Sequence, residues 1–304
     1  MTTEITPAPD DLVAPFQIEG ETVRGRLVRM GASVHQILAA HAYPEPVANL
    51  LGEACALAAL VGSNLKFEGR LIVQAQGDGP VRYVVVDYDT DGALRGYCRY
   101  DEEAVAKAAS GFLRPGAKTL LGEGVFIMTV DQGSDMQRYQ GITTIEGETL
   151  ALCAEQYFAQ SEQTPTRVRL AVGQADLGQG LQWRAGGMLI QNIAEDENRG
   201  PTAEGWVRAQ AFFETIGEDE LIDPTLSAET LLFRLFHEDG VRVFAAKPLR
   251  AACRCSQDRI ESVLTSFSAG ERADMVEDDG TIKVTCEYCS STYLVDPVAL
   301  TARA

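Results

Sequence analysis

Apolar and polar positions alternate along the chain with two distinct periods. Across residues 46–63, Val47, Leu50, Leu51, Ala54, Leu57, Ala58 and Val61 recur every three or four residues, the spacing that lines one face of a helix. Residues 70–76 and 81–87 are rich in β-formers and are separated by Gly77-Asp78-Gly79-Pro80, which predicts a hairpin. A strand at 93–99 follows Asp91-Gly92 and extends the meander. Further strands are predicted at 124–130, 142–146, 167–172 and 187–191. A helix over 149–160 is expected to direct Leu152, Cys153 and Tyr157 toward the core. Runs of hairpins with interspersed helices predict an α+β fold, not a doubly wound parallel sheet.

The pattern changes near residues 195–201, a polar stretch ending in Gly200-Pro201 that reads as a domain boundary. Beyond it a helix is predicted over 202–216, with Trp206, Ala209, Phe213 and Ile216 on one face and Gly217 as its stop. An acidic, proline-containing loop at 218–224 leads to a second helix, capped by Ser227 and carrying Leu231, Leu232, Phe233, Leu235 and Phe236. Helices this short are not stable alone. Their apolar faces need a partner surface, so their order depends on their neighbours. After a strand at 241–245, Ser256 is placed to cap a helix bearing Ile260, Val263, Leu264 and Phe267, and Asp278-Asp279-Gly280 turns the chain into a last hairpin, 281–285 and 292–295. The expected organisation is an N-terminal α+β domain at 1–200, a helical linker at 201–245 and a small C-terminal domain at 246–304.

The chemistry concentrates in that last part. Cys253 and Cys255 form a C-x-C pair, and Cys286 and Cys289 a C-x-x-C pair thirty residues further on. Two close pairs separated in this way predict a tetrahedral Cys₄ zinc site with one Zn²⁺ per chain. Four thiolates leave no open position for a substrate, so the metal would act on folding. Thiolates are also the form that oxidants attack, and a cluster that lost its metal would be able to close short disulfides, which makes it a candidate switch as well as a staple. Cys55, Cys98 and Cys153 fall within apolar helix or strand patterns and read as inert buried thiols.

Charge narrows the partners. The chain of 304 residues carries a net charge of −18, and residues 251–304 hold five basic against nine acidic side chains. Nucleic acid and anionic membranes both need positive surface, so neither is expected as a partner. The longest apolar run, 54–61, is too short to cross a bilayer, and MTTEITPAPD lacks the features of a secretion signal; the expected compartment is the cytoplasm. Gly77-x-Gly79 lacks the third glycine of a dinucleotide fingerprint, and no Walker A, G-x-S-x-G or HExxH pattern occurs. No catalytic residue is assigned. The enzyme class enters only as a rival reading, a thiol–disulfide oxidoreductase using Cys286-x-x-Cys289; such enzymes usually place that motif at a helix N-terminus, and here it falls between two predicted strands.

The CRC…CEYC framework, together with LVGSNLKFEGRLIVQAQGDGP (60–80), LRGYC (94–98), YFAQSEQTPT (157–166), GGMLIQNI (186–193) and RLFHEDGVRVF (234–244), resembles the 33-kilodalton heat-shock protein family of redox-regulated bacterial holdase chaperones. The resemblance covers nearly everything from Phe16 to about Asp296, and the mass of 32.9 kDa agrees. It implies an ATP-independent chaperone that is inactive while reduced and zinc-bound. Oxidation would join near neighbours, here Cys253 to Cys255 and Cys286 to Cys289. The C-terminal domain and linker would then lose their order, and unfolding client proteins would bind the apolar surface so exposed. The oxidised form is expected to dimerise. Trp206, Phe213, Ile216, Leu232 and Phe236 are the candidates for surface masked in the reduced state.

Overall fold

A computed structural model of the chain describes residues 7–301 apart from 67, 134–135, 137, 179 and 194–201; the expected boundary at 195–201 therefore lies outside the described residues. Two compact units result, Met1–Ala251 and Ala252–Ala304. The first contains β1 (Leu12–Ile18), β2 (Val23–Met30), α1 (Ala32–Ala39), α2 (Glu45–Gly62), β3 (Arg70–Gly77), β4 (Val81–Asp89), β5 (Ala93–Tyr100), α3 (Glu102–Ala109), α4 (Ala117–Leu121), β6 (Gly124–Asp131) and β7 (Tyr139–Thr144). There follow α5 (Leu150–Tyr157), which runs into a π-helical turn (Phe158–Glu162), then β8 (Thr166–Asp176), β9 (Leu181–Asn192), α6 (Thr202–Phe213), α7 (Glu218–Ile222), α8 (Ala228–Phe236), β10 (Val241–Val243), β11 (Lys247–Pro248) and β12 (Arg250–Ala251). The strands form two sheets, ordered β10-β1-β2-β9-β8, with β11 also on β1, and β12-β5-β4-β3-β6-β7. The fold is α+β. Pairing is antiparallel within both sheets except where β12 joins β5 in parallel.

Helix α2 is apolar over most of its surface because most of it is buried. Its Gly52 lies against Val172 of β8 and its Gly62 against Tyr88 of β4, so that a Cβ at either position would come within 2.8 Å and 2.2 Å of those side chains. The helix thus packs on both sheets, and their inward residues join it in one core. By length and composition α2 is sufficient to cross a membrane, which the 54–61 run alone did not indicate. Most of it is buried in this core, and packing accounts for its apolarity.

The other face of the first sheet has a different cover. Side chains alternate across a strand, so Ala14, Phe16 and Ile18 of β1, Val23 and Leu27 of β2, and Met188 and Ile190 of β9 point away from α2. They form a second cluster with Ala209, Phe213, Ile216, Leu221, Leu231, Leu232 and Phe236 of the helical segment. The rings of Phe16 and Phe236 stack at 5.7 Å. Helix α7 approaches so closely that a Cβ on Gly186 of β9 would lie 2.1 Å from the Leu221 carbonyl oxygen; only glycine fits there.

Several expectations are revised. Leu152 is 45% exposed, because the inward stripe of α5 is Leu150, Cys153, Ala154 and Tyr157, which leaves Leu152 on the opposite side. The acidic segment at 218–224 is not a plain loop: Glu218–Ile222 is helical, with the Glu220 carboxylate accepting from the Gly217 N–H and acidic residues at the positive helix end. Phe233 is 62% exposed, since the inward face of α8 is set by Ala228, Leu231, Leu232 and Phe236. The predicted helix over 202–216 ends as an α-helix at Phe213, and the strand at 241–245 ends at Val243. Strands β1 and β2 are not among the predicted strands, because Pro15 and Arg29 break the alternation of their apolar positions.

The second unit holds α9 (Gln257–Thr265), α10 (Ala269–Asp274), β13 (Ile282–Thr285), β14 (Thr292–Val295) and α11 (Pro297–Thr301). Ser256 caps α9 by accepting from the Arg259 N–H. Strands β13 and β14 pair from Ile282–Val295 to Thr285–Thr292. Its buried core is small: Leu264, Ile282, Val295 and Leu300. Val263 is 53% exposed and Phe267 is also partly exposed, because a two-stranded hairpin covers only the Ile260–Leu264 side of the helix. A core of this size does not hold some fifty residues together without a further staple.

Candidate metal centre and the covered linker face

Four cysteines are placed where they could supply such a staple. Cys253 and Cys255 lie in the irregular segment leading to the Ser256 cap, and Cys286 and Cys289 in the turn joining β13 to β14. That turn is closed by Ser290 N–H donating to the Cys286 carbonyl and Cys286 N–H donating to the Ser291 carbonyl, both at 2.9 Å. Ser290 takes the left-handed conformation, φ 56°. All four Sγ atoms fall within 4.8 Å of one another, with Cys253 to Cys286 at 3.7 Å and Cys255 to Cys289 at 3.4 Å. Zn–S bonds of 2.3 Å imply a sulfur–sulfur edge of about 3.8 Å in a regular tetrahedron. Four soft, converging thiols at this spacing fit a zinc ion; these side chains would hold it, and what it would supply is a covalent cross-link between the two arms.

As free thiols, Cys255, Cys286 and Cys289 are shifted unequally. Burial pushes Cys255 up to about 12, against a hydrogen bond from Tyr293. Burial also raises Cys286, with backbone N–H groups of Cys289 and Tyr288 opposing it. At Cys289 burial acts upward too, but hydrogen bonds from the Ser291 side chain and backbone prevail and bring it down to about 7. The other thiols behave as structural cysteines: Cys55, Cys98 and Cys153 are buried, and burial raises all three, Cys55 to about 12.

The candidate client-binding residues lie elsewhere, on the sheet-facing side of the helical segment. Phe213, Ile216, Leu232 and Phe236 are buried in the second cluster and Trp206 is half-buried beside it. A polar contact lies within this apolar interface. Arg29 of β2 and Arg184 of β9 are buried on the same face of the first sheet. Arg29 donates to the carbonyls of Glu220 and Asp223, and Arg184 to that of Ile222 at 2.7 Å. Asp10 accepts from both guanidinium groups. Burial lowers the Arg29 pKa while Asp10 raises it. Two strands thus grip the carbonyl end of α7, where the helix presents unpaired acceptors and a negative dipole end.

Residues 11–296 match the family described as Hsp33 protein. The chain belongs to the Hsp33 family. It is 74% identical over 288 residues to a 33 kDa chaperonin of Caulobacter vibrioides, covering 95% of each chain. It is 39% identical over 285 residues to a 33 kDa chaperonin of Pseudomonas paraeruginosa, covering 92% of this chain and 90% of that one. The crystal structure of the Thermotoga maritima 33 kDa chaperonin superposes with a TM-score of 0.78 at 22% identity, covering 97% of both chains, a likeness of fold. Hsp33 membership and the names of these relatives support a chaperone role.

Beyond the cysteines, the Hsp33 fold uses residues with no signal in the sequence. Asp10, Arg29 and Arg184 are brought together across more than 170 positions. Tyr293 is simply an alternating residue of a short strand until pairing places its hydroxyl 3.0 Å from the Cys255 Sγ.

Proposed function

We propose that the chain is a redox-regulated, ATP-independent holdase. In the reduced state Cys253, Cys255, Cys286 and Cys289 hold one Zn²⁺ and keep the C-terminal domain, 246–304, folded. The linker, 201–245, stays packed on the N-terminal domain, 1–200, and the chaperone is inactive. Oxidation joins Cys253 to Cys255 and Cys286 to Cys289; disulfide sulfurs no longer hold the ion, and a unit with so small a core unfolds. The linker then leaves the sheet, and unfolding clients bind the uncovered apolar surface, Trp206, Phe213, Ile216, Leu232 and Phe236 among it. The active form dimerises and works in the cytoplasm without nucleic-acid or membrane partners. No substrate is turned over.

One observation carries this reading: the convergence of four thiols in a unit whose apolar core, among the described residues, is four buried side chains. It is supported by the burial of the linker's large apolar side chains against a sheet face of matching character. The oxidoreductase reading is weakened because Cys286 and Cys289 lie in a β-hairpin turn rather than at a helix N-terminus; an insulin-reduction assay tests it directly. For the holdase, light scattering follows a chemically denatured client diluted into the zinc-loaded reduced protein or into protein treated with peroxide at heat-shock temperature. Suppressed aggregation only after oxidation, with zinc release, is the expected result. Equal suppression in both states would mean a constitutive chaperone with a permanent zinc staple.

A further inference from the structure

The two arms of the cysteine cluster are built differently. In the C-x-x-C arm the chain turns back on itself, so that backbone N–H groups of Tyr288 and Cys289 reach the Cys286 sulfur and that of Ser291 reaches Cys289. These are short, fixed donors, and they disperse the negative charge that a thiolate carries. The C-x-C arm has one residue between its cysteines, too few for such a turn. Its Cys255 sulfur instead meets a side-chain donor from the opposite arm, the Tyr293 hydroxyl at 3.0 Å. Tyr293 stands on β14 opposite Val284 of β13, so the paired strands, and not a flexible loop, fix where the hydroxyl points.

We infer that the Tyr293 hydroxyl is the positioning donor of the C-x-C arm, setting how firmly Cys255 holds zinc and how slowly it is oxidised. Outer hydrogen bonds orient metal-ligating groups and tune their electron density, and losing one typically costs 10–100-fold in metal affinity. The same bond draws charge from the sulfur, and nucleophilic attack on peroxide depends on that charge. In that attack the Cys255 thiolate takes the distal oxygen of a peroxide as the O–O bond breaks, giving a sulfenic acid and hydroxide. A second cysteine thiolate then forms the S–S bond and expels a second hydroxide. Two thiolates are oxidised by two electrons and one peroxide is reduced. Tyr293 is not consumed; it acts through Cys255.

The inference deepens the proposed redox reading and rests on it for its regulatory meaning. Its test is the full-length Tyr293→Phe protein, which keeps the ring and removes only the donor. Three readouts are taken: zinc affinity by competition with a chromogenic chelator, the thiolate-to-cobalt charge-transfer band after substitution with cobalt(II), and the rate of zinc release under peroxide. We expect zinc binding weaker by about tenfold, the charge-transfer band moved to lower energy because the sulfur lone pair is no longer stabilised, and release several-fold faster. A role confined to packing would leave the cobalt band where it is. Unchanged affinity with an unmoved band overturns the assignment. The first two readouts use no oxidant, so they decide the inference even if the parent protein keeps its zinc under peroxide, an outcome that would instead defeat the proposed function.

Discussion

Truncating Phe236 to alanine tests whether the linker is held by packing against the first sheet. The side chain is fully buried, stacks on Phe16 at 5.7 Å and meets Phe212 edge-on at 6.3 Å. Removing a buried phenylalanine costs about 3–5 kcal/mol, including the cavity left behind, and every 1.4 kcal/mol is a factor of ten in an equilibrium. The docking equilibrium of α8 should therefore fall by roughly 10² to 4 × 10³. Because α8 touches the sheet through one face only, the loss should appear as local opening and not as global unfolding. Hydrogen exchange of the reduced, zinc-loaded Phe236→Ala protein should show α6 and α8 amides exchanging faster by that factor, with β3 and β4 protected as in the parent. Light scattering on the same sample should show client holding without oxidant. If the linker amides keep their protection and only the melting temperature drops, packing of this face does not control linker release and the reasoning fails.

The polar grip makes a separate prediction: Asp10→Ala strips the carboxylate from the buried Arg29 and Arg184, which should destabilise the protein by about 3 kcal/mol and loosen α7, seen as a lower urea midpoint and faster exchange at 218–226. Glu53 lines a cavity of about 390 Å³ with Arg114 and Glu218, and its pKa is raised from 4.5 to about 7 by burial, with Arg114 opposing and Glu218 adding to the rise. A carboxyl raised in the folded state binds its proton more tightly there, so its stabilisation is complete below the unfolded value and is lost as pH rises through about 7. Stability should therefore fall between about pH 5 and about pH 8, by up to about 3 kcal/mol, and Glu53→Gln should flatten that fall in thermal melts; an unchanged pH profile would remove Glu53 from the account. Chelating zinc from the reduced protein should unfold 252–301, measured by exchange of its amides, while the second sheet stays intact; a chelated protein with a protected β13–β14 hairpin would mean the cysteines are not its staple.

How far the sequence alone carried this picture depended on whether a feature was local. Helix α2, the β3–β4 hairpin, the Ser227 and Ser256 caps and the cysteine spacing are all written within a few residues, and each stands where the pattern placed it. The apolar faces of α6 and α8 were legible as faces in need of a partner, but their partner, alternate residues of β1, β2 and β9, was not, because it arises only when strands from both ends of the domain pair. Arg29 is the clearest miss. An arginine in a strand reads as a solvent-facing residue, and its burial makes sense only once the carbonyls of Glu220 and Asp223 are brought to it. Leu152 differs for the converse reason: an apolar residue in a helix reads as inward, although the buried stripe lies one position either side.

On the proposed function, the oxidation state of four cysteines governs exposure of the sheet face beneath the linker. Hydrogen exchange with mass spectrometry, comparing zinc-loaded reduced protein with peroxide-treated protein, tests it most directly. Protection should be lost together over 252–301 and over α6 to α8, while β3, β4 and β6 retain theirs. Loss confined to 252–301, with α6 to α8 still protected, would contradict it.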